Sequence, residues 1–543
     1  MYNQTFNSSL NYVNKPPLDD WNPWIWRITA AVSGALCGLA SLYPVFAWLV
    51  WLAPAAFLFS LLVAHYKPLP EHLWRAGLFA VSYYAVAVSS LLKVADYIDL
   101  PRWQSGLLVL LLTALCVLLL SLLWLLAAAV FALCRPALPV SFAFWPLACY
   151  LIEWLQGHLF GGFPVISLGV SQGVYPLLCQ SAGCWGATGL SAMIILINIL
   201  LAAALFSHRW RYLLLALAIF AVNIIAGLVD WHFDTPPERN LRAAAANSDI
   251  ALEQRWDGSY DSEIFAIYAG QTAASRAEGA QLMLLPETAL PHELYAGSGY
   301  GQRFVQLANQ NQLTLVVGGF AERNGQQYNS LFAITPTQAG STFTEIYSKR
   351  ALVPFGEYFP VKGLLEKILP DAFWASFPIT DLQTGGAQGA ATITLGDKSR
   401  LTVASLICYD ICFADYPRQA VQEGARLLLA ASNDVWYRET GIVYQHLNHS
   451  VLRAIEYNRP LLNSTNGGYS AVIDCEGRIL AVASARAEHV TAAVADIGLP
   501  ENLTLFCRYG QYQIFIVALV WLAVSILGWL CRPADNYKIF SRR

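Results

Sequence analysis

The stretch Leu406 to Pro417, LICYDICFADYP, decides how the larger part of this chain is read. It closes RLTVASLIC (400–408), an apolar run that reads as a strand, and the run stops at a thiol, with an aromatic and a carboxylate directly after it. Free cysteine is among the most often buried residue types, so Cys408 alone reads as core filling. A thiol at the rim where a packed sheet opens into a cleft has a different use, and the neighbouring strands decide between the two.

Working outward, AQLMLLPE (280–287) is an apolar strand ending at Glu287, and LTLVVGGF (313–320) and QQYNSLFAIT (326–335) flank an Asn324-Gly325 turn, a strong hairpin signal. ARLLLAAS (425–432) and YSAVIDCEGRILAVA (469–483), the latter with a Glu476-Gly477 turn, add further strands. Helical patterns fall near 261–279, 301–311, 415–424 and 441–458. Strands and helices in this alternation predict a layered α/β domain with helices covering its sheets.

That domain sits in a very different chain. Of 543 residues, 56% are hydrophobic and only 13% charged, about half the charge of an average soluble protein. The charge is also uneven: Trp21 to Val229 holds twelve Asp, Glu, Lys or Arg, whereas Asp230 to Glu501 has an ordinary soluble composition. Apolar stretches long enough to cross a bilayer core occur near 24–42, 45–64, 73–93, 106–134, 137–155, 188–206, 212–229 and 513–531, so about eight spans are expected. No small-residue cleavage site separates the first from the second, and the first is read as a retained span and not as a signal peptide.

Basic residues in the short loops orient the spans. Lys15, Lys67 with Arg75, Arg135, Arg209 with Arg211, and the tail with Arg532, Lys538, Arg542 and Arg543 fall on one side, read as the cytoplasm. Lys93 and Arg102, beside Asp96 and Asp99, are an exception on the outer side. The expected organisation is a cytoplasmic lead (1–20), a seven-helix membrane domain (21–229), an extracytoplasmic domain (230–512), an eighth membrane helix (513–531) and a cytoplasmic tail (532–543). A net charge of -3 without a basic run argues against nucleic acid as a partner, and eleven cysteines without regular spacing do not read as a disulfide framework.

Three of the segments end in a reactive residue: Glu287 after LMLLP, Lys349 in EIYSKRALVPFGEYFP, and Cys408 after TVASLI. Separately, Glu287 reads as a helix cap, Lys349 as a solvated cation and Cys408 as filling. Together an acid, an ammonium and a thiol suffice for acyl transfer, in which the carboxylate takes the thiol proton, the sulfur attacks a carbonyl and the ammonium stabilises the oxyanion. A zinc reading also has to be weighed, because Cys408 and Cys412 are four apart and His446 and His449 three apart. Neither pair has a knuckle-like glycine, and the two histidines read as one face of a helix, so no metal ligands are assigned.

The motifs LPETALP (285–291), YSKRALVPFGEYFP (347–360), ICYD (407–410) and LLLAASNDVWY (427–437), with Glu, Lys and Cys in that order, resemble the nitrilase superfamily. Within the membrane frame the chain resembles the apolipoprotein N-acyltransferases, as do WLQGHLFGGFP (154–164), SQGVYPLLCQSAGCWGATGLS (171–191), Arg255-Trp256-Asp257 and RAIEYNRPLLNSTNGG (453–468). The resemblance implies a multi-pass helical membrane protein with an inserted nitrilase-like αββα sandwich. It implies Glu287 as general base, Lys349 as oxyanion stabiliser and Cys408 as nucleophile, with Glu357, Tyr409 and Asp410 supporting them. Trp256, Asn433 and Trp436 match positions near the catalytic or lipid-binding cleft.

The implied reaction passes an acyl chain from a phospholipid, through a thioester on Cys408, to the α-amine of a diacylglyceryl-cysteine at a lipoprotein N-terminus. It takes place at a bacterial inner membrane, on the periplasmic side, and uses no metal or organic cofactor. The alternative is a membrane-tethered amidase or hydrolase using the same triad with water, a reading favoured by the CYD sequence at 408–410. The segment Pro360 to Gly385, apolar but broken by prolines, reads either as a lid over a lipid entry route or as a helix packed on the domain.

Overall fold

The computed structural model describes residues 22–530, apart from 66, 99, 234–239, 338–339, 359–361, 363–366, 368–381, 439 and 485–490. The membrane part begins with α1 (Pro23–Leu42), where Asn22 accepts a hydrogen bond from Trp24 N at 3.0 Å and Pro23 takes the first helical position, a favourable pair of start signals. There follow α2 (Ala53–Val63), α3 (Leu69–Ala87), α4 (Arg102–Cys134), α5 (Leu138–Gln156), α6 (Ala182–Ser207) and α7 (Trp210–Phe233). A turn of 3-10 helix, Pro44–Trp51, leads into α2 and completes the second apolar stretch.

Among the described residues, seven helical segments are long and apolar enough to span a bilayer, and an eighth is obtained if α3 and the 3-10 segment Ser89–Tyr97, bent by 43°, form one span. The bend falls inside the single apolar stretch read near 73–93. The other seven stretches each fall on one of the seven helical segments.

The extramembrane part begins with strands β1 (Asn240–Ala245) and β2 (Asn247–Ser248), helices α8 (Leu252–Trp256) and α9 (Asp261–Ala277), strand β3 (Leu282–Leu284) and helix α10 (Gly299–Asn311). Next come β4 (Thr314–Arg323), β5 (Gln326–Thr337), β6 (Gly340–Ser348), β7 (Ala391–Thr394) and β8 (Arg400–Ile407). After α11 (Arg418–Gln422) the chain runs through β9 (Leu427–Asn433), α12 (Ile442–Tyr457), β10 (Leu461–Asn466), β11 (Tyr469–Ile473), β12 (Ile479–Ser484) and β13 (Ala493–Gly498), and returns to the membrane in α13 (Leu505–Leu530). That last helix starts before the apolar window at 513, because Arg508 interrupts the hydropathy without interrupting the helix.

Among the described residues two sheets form, one of six strands in the order β13-β1-β3-β4-β5-β6 and one of seven, in which β12-β11-β10-β9-β8-β7 run side by side and β2 pairs with β10. Their facing sides make one apolar layer, in which Leu282, Leu284 and Val316 of the first sheet meet Val403, Leu429 and Leu462 of the second. Helices α9 and α10 cover the outer face of the first sheet through Ile264, Tyr268 and Phe304. On the outer face of the second, α12 contributes Val451, Leu452 and Ile455 to a core that continues without a break into the membrane helices. The β4–β5 hairpin pairs Arg323 with Gln326, and its two central residues, Asn324 (φ 54°) and Gly325 (φ 74°), take the positive φ that a tight hairpin turn requires.

The two parts are joined by polar contacts as well as by the shared core. Helix α6 is broken at Gly186 (φ 70°), and the amide freed by the break, Ala187 N, donates to Glu456 Oε1 of α12 at 2.7 Å. His449 Nε2 lies 3.0 Å from the Val165 carbonyl, and Tyr409 donates its hydroxyl hydrogen to the Gly162 carbonyl at 2.9 Å. The turn that carries Cys408 is thereby bonded directly to the loop between α5 and α6.

Candidate active site

Three strand ends converge. Strand β3 stops at Leu284 and the chain turns sharply at Glu287 and Thr288 (φ 39°). Strand β4 can pass close to this turn because position 318 is glycine: a Cβ there would lie 2.4 Å from the Pro286 carbonyl oxygen. Arg255, fully buried, donates from Nη2 to the Glu287 carbonyl at 2.7 Å and also bonds the Thr288 carbonyl, and so clamps the turn from below. Lys349 follows β6, and its backbone amide is held at 2.8 Å by the Asn329 carbonyl of β5.

The side chains meet in a charged cluster. Lys349 Nζ lies 3.0 Å from Glu287 Oε1 and 2.6 Å from Glu357 Oε1. Asn329 Nδ2 donates to the same Glu287 oxygen at 2.7 Å, and Glu357 Oε2 accepts from Val353 N at 2.9 Å. Burial disfavours the charge on Lys349, but the surrounding Cys408, Glu287 and Glu357 outweigh it and hold the ammonium well above the ordinary lysine value. Burial raises the Glu357 carboxyl, partly opposed by Lys349.

Cys408 follows directly on β8, in the first position of a 3-10 turn (Cys408–Cys412), with φ 51°. Positive φ at a non-glycine residue costs on the order of 1–3 kcal/mol and tends to collect at functional sites. Here it occurs at Cys408, at Thr288 beside Glu287, and at Phe355 (φ 64°) in the loop leading to Glu357. Burial and then the Glu287 charge push the Cys408 thiol well above its ordinary value, with Lys349 pulling the other way. At neutral pH the thiol therefore holds its proton, and ionisation has to accompany transfer of that proton to a neighbouring base.

The supporting residues divide by task. Asp410, fully buried, accepts from Ala351 N at 2.7 Å, Ile407 N at 3.1 Å and the Tyr347 hydroxyl at 2.9 Å. It thus staples the Cys408 turn to the Lys349 loop. Asn433, at the end of β9, accepts from Asn466 Nδ2 at 2.9 Å. Trp436 packs edge-on against Tyr97, with centroids 5.3 Å apart, where the second half of the bent α3 span meets the domain. Trp256 is exposed and lies over Phe320, which packs with Leu352, Leu382 and Tyr358 at the rim beside Glu357. Glu287, Lys349 and Glu357 thus form one bonded cluster whose charges act on Cys408, while the contacts of Trp256, Asn433 and Trp436 are with Phe320, Asn466 and Tyr97.

Asn329 is not among the residues singled out from the sequence, and Arg255 enters there only within the stretch Arg255-Trp256-Asp257, without a role of its own. A buried polar residue inside the apolar run YNSLF was the available signal for the first, and an Arg directly before Trp256 the signal for the second. Cys412 turns away from this cluster. Burial would raise its thiol, but His449 and His446 reverse this and bring it down to about 6. His446 Nδ1 is itself 2.8 Å from Asp434 Oδ1, and among the described residues no three His, Cys, Asp or Glu side chains are grouped so as to hold a metal ion. Of the segment 360–386, all but 362, 367 and 382–386 lies outside the described residues, and so does the lid reading.

Residues 236–500 match the family described as Carbon-nitrogen hydrolase, and residues 33–200 the Apolipoprotein N-acyltransferase N-terminal domain. The chain is similar to the apolipoprotein N-acyltransferase of Vibrio vulnificus, at 28% identity over 399 residues, 72% of this chain and 75% of the relative. Similarity to that of Geobacter metallireducens is 30% over 382 residues, 68% of this chain and 70% of the relative. Similarity to that of Caulobacter vibrioides is 29% over 525 residues, 93% of this chain and 94% of the relative.

Proposed function

The chain belongs to the apolipoprotein N-acyltransferases of the nitrilase superfamily and is a bacterial membrane acyltransferase acting on lipoproteins, and we propose that it does so by a thioester route through Cys408. The observation that carries the reading is the convergence of Lys349 Nζ, Glu287 and Glu357 within 3.0 Å and 2.6 Å contacts beside a half-buried thiol held at a strained strand end. A phospholipid supplies the acyl group. Its ester carbonyl is attacked by the Cys408 sulfur as Glu287 takes the thiol proton, and the oxyanion forms beside the Lys349 ammonium. When the ester C–O bond breaks, Glu287 returns the proton to the departing lysophospholipid oxygen.

In the second half the free α-amine of a diacylglyceryl-cysteine attacks the thioester and loses its proton to Glu287. The C–S bond breaks, and the sulfur recovers a proton from the same carboxyl group. Glu357 keeps Lys349 in place, and Asp410 fixes the spacing between Lys349 and Cys408. The acyl group is carried by the protein itself, so the steps as written call on no metal or organic cofactor. Trp256, Asn433 and Trp436 line the approach of the lipid substrates.

We assign residues 21–229 and 513–531 to the membrane and 230–512 to the catalytic domain, on the periplasmic side of the inner membrane. The basic loops support this orientation. It predicts that a cysteine replacing Ser259 is labelled from the periplasm, and one replacing Ser541 only after the membrane is opened. Intact-mass measurement after exposure to phospholipid tests the chemistry: one acyl chain is expected on Cys408. It is expected to discharge onto a diacylated lipopeptide with a free α-amine and to persist with the N-acetylated peptide. Release of free fatty acid at the turnover rate without any lipopeptide would overturn transfer in favour of hydrolysis.

A further inference from the structure

Strand β12 is the edge of the seven-stranded sheet, and three apolar side chains on it stand open: Ile479 is 41%, Leu480 44% and Val482 57% exposed. Apolar side chains on an open sheet edge are a liability in water, and soluble proteins usually blunt such edges with charge or proline. The register states which way they face. Val482 pairs with Ala471 and Ala481 with Val472. Ala481 and Val472 belong to the layer between the two sheets, whereas Ala471 belongs to the core shared by α12 and the membrane helices. Directly opposed residues share a face, so Val482, opposite Ala471, and Ile479, opposite Ile473 of the same core, project from the membrane-facing side of the sheet, with the exposed Leu480 in the bulge between them.

Two contacts fix the level at which this strand begins. The Arg478 guanidinium lies over the Trp231 ring, 5.4 Å from its centroid, and Trp231 closes the apolar window Trp210–Trp231 of α7. Gln180, just before α6, donates from Nε2 to the Glu476 carbonyl at 2.9 Å. The β11–β12 turn therefore sits at the outer ends of two membrane helices. With a strand rise of about 3.3 Å per residue, Leu480 and Val482 lie about 7 and 13 Å further along from Arg478.

We infer that β12 rests on the bilayer surface, with Leu480 and Val482 in contact with lipid of the leaflet in which α7 ends. An aromatic and an arginine at the boundary, with aliphatic side chains beside them, is the arrangement that suits the headgroup and upper acyl region. This contact lies outside the Cys408 cluster, and it would keep the second sheet parallel to the membrane so that the β8 and β9 ends stay at lipid depth. A second copy of this chain is the competing occupant, and the test separates the two.

The full-length protein is placed in nanodiscs of phosphatidylethanolamine and phosphatidylglycerol, with a photoreactive benzophenone amino acid in place of Val482. A matched sample carries it in place of Ile267, an exposed apolar residue on α9, in the layer furthest from the membrane helices. On illumination, mass spectrometry is expected to find phospholipid adducts at 482 at least tenfold above those at 267. Adducts at 482 no more frequent than at 267, or cross-linking at 482 to a second copy, would overturn the inference. Leu480→Ser with Val482→Ser supplies a second reading: the variant should keep its fold in detergent but lose much of the protection of β12 amides from hydrogen exchange that nanodiscs confer. Equal protection in nanodiscs and detergent for the unsubstituted protein would count against lipid contact.

Discussion

Cys408 and Cys412 stand at the two ends of one 3-10 turn, and their surroundings drive the two thiols in opposite directions. Around Cys408, burial and the Glu287 carboxylate raise the thiol well above its ordinary value. Around Cys412, burial acts in the same sense, but His449 and His446 reverse it and bring the value to about 6. The better ionised sulfur is the one enclosed at 2% exposure, while the proton-bearing sulfur faces the carboxylate and ammonium. Resting ionisation is thus not what distinguishes the proposed nucleophile. What distinguishes it is access and the neighbouring carboxylate and ammonium, the groups proposed to receive its proton and to meet the oxyanion.

The sharpest break in this comparison would come from the thiols themselves. Cys408→Ala is expected to abolish acyl transfer, and Cys412→Ala to leave most of it, both measured with a lipopeptide acceptor in proteoliposomes. Equal losses would mean that the His446 side of the turn takes part in chemistry. The next largest effects belong to the groups that only Cys408 has. Glu287→Gln should prevent the acyl adduct from forming, as read by intact mass. Lys349→Ala should slow it about 10²–10³-fold, the scale on which one oxyanion donor acts. A near-normal rate in the Lys349 variant would remove that residue from its proposed place.

A smaller effect is expected at Asn329, whose amide holds the Glu287 oxygen at 2.7 Å. A hydrogen bond to a charged group is worth about 1.5–3 kcal/mol, so Asn329→Ala should slow acylation by no more than about ten- to a hundredfold and lower the unfolding free energy by no more than that same amount. The smallest effect concerns stability. Because the Cys412 value is lowered on folding from 9.0 to about 6, its contribution is complete above the unfolded value and is lost as pH falls from about 9 toward about 6. His446, raised above 6.5, contributes in the opposite sense: fully below its ordinary value, and progressively less as pH rises through the raised one. Cys412→Ala should therefore flatten the fall in unfolding free energy on acidification across that window. An unchanged profile would leave the two thiols indistinguishable in their ionisation.

Strand legibility followed the solvent each strand meets. The runs ending at Glu287 and Cys408, the β4–β5 hairpin and β9 were readable because an apolar run or an Asn-Gly turn is a local property. Strand β10 is not legible as a strand, although it is central and wholly buried, because its sequence LLNSTN looks polar. Its polar side chains are satisfied from afar: Ser464 donates to the Ala246 carbonyl at 2.8 Å and Asn466 to the Ile250 carbonyl at 3.0 Å. Helix α11 is shorter than the pattern at 415–424 suggested, since Pro417 directly precedes its first residue. Strands β1, β2, β7 and β13 carried too little local signal to be read.

By itself the sequence determined the partition between two solvents and the order of Glu, Lys and Cys at three strand ends, because hydropathy and residue type are properties of short windows. Tertiary structure alone decided what those residues became. The meeting of Glu287, Asn329 and Lys349 needs strands separated by 42 and 62 positions to be packed side by side. The positive φ at Cys408, and the contrary shifts of two thiols on one turn, likewise arise from groups far along the chain. Electrostatic fields and steric strain depend on distance through space, and only packing sets that distance.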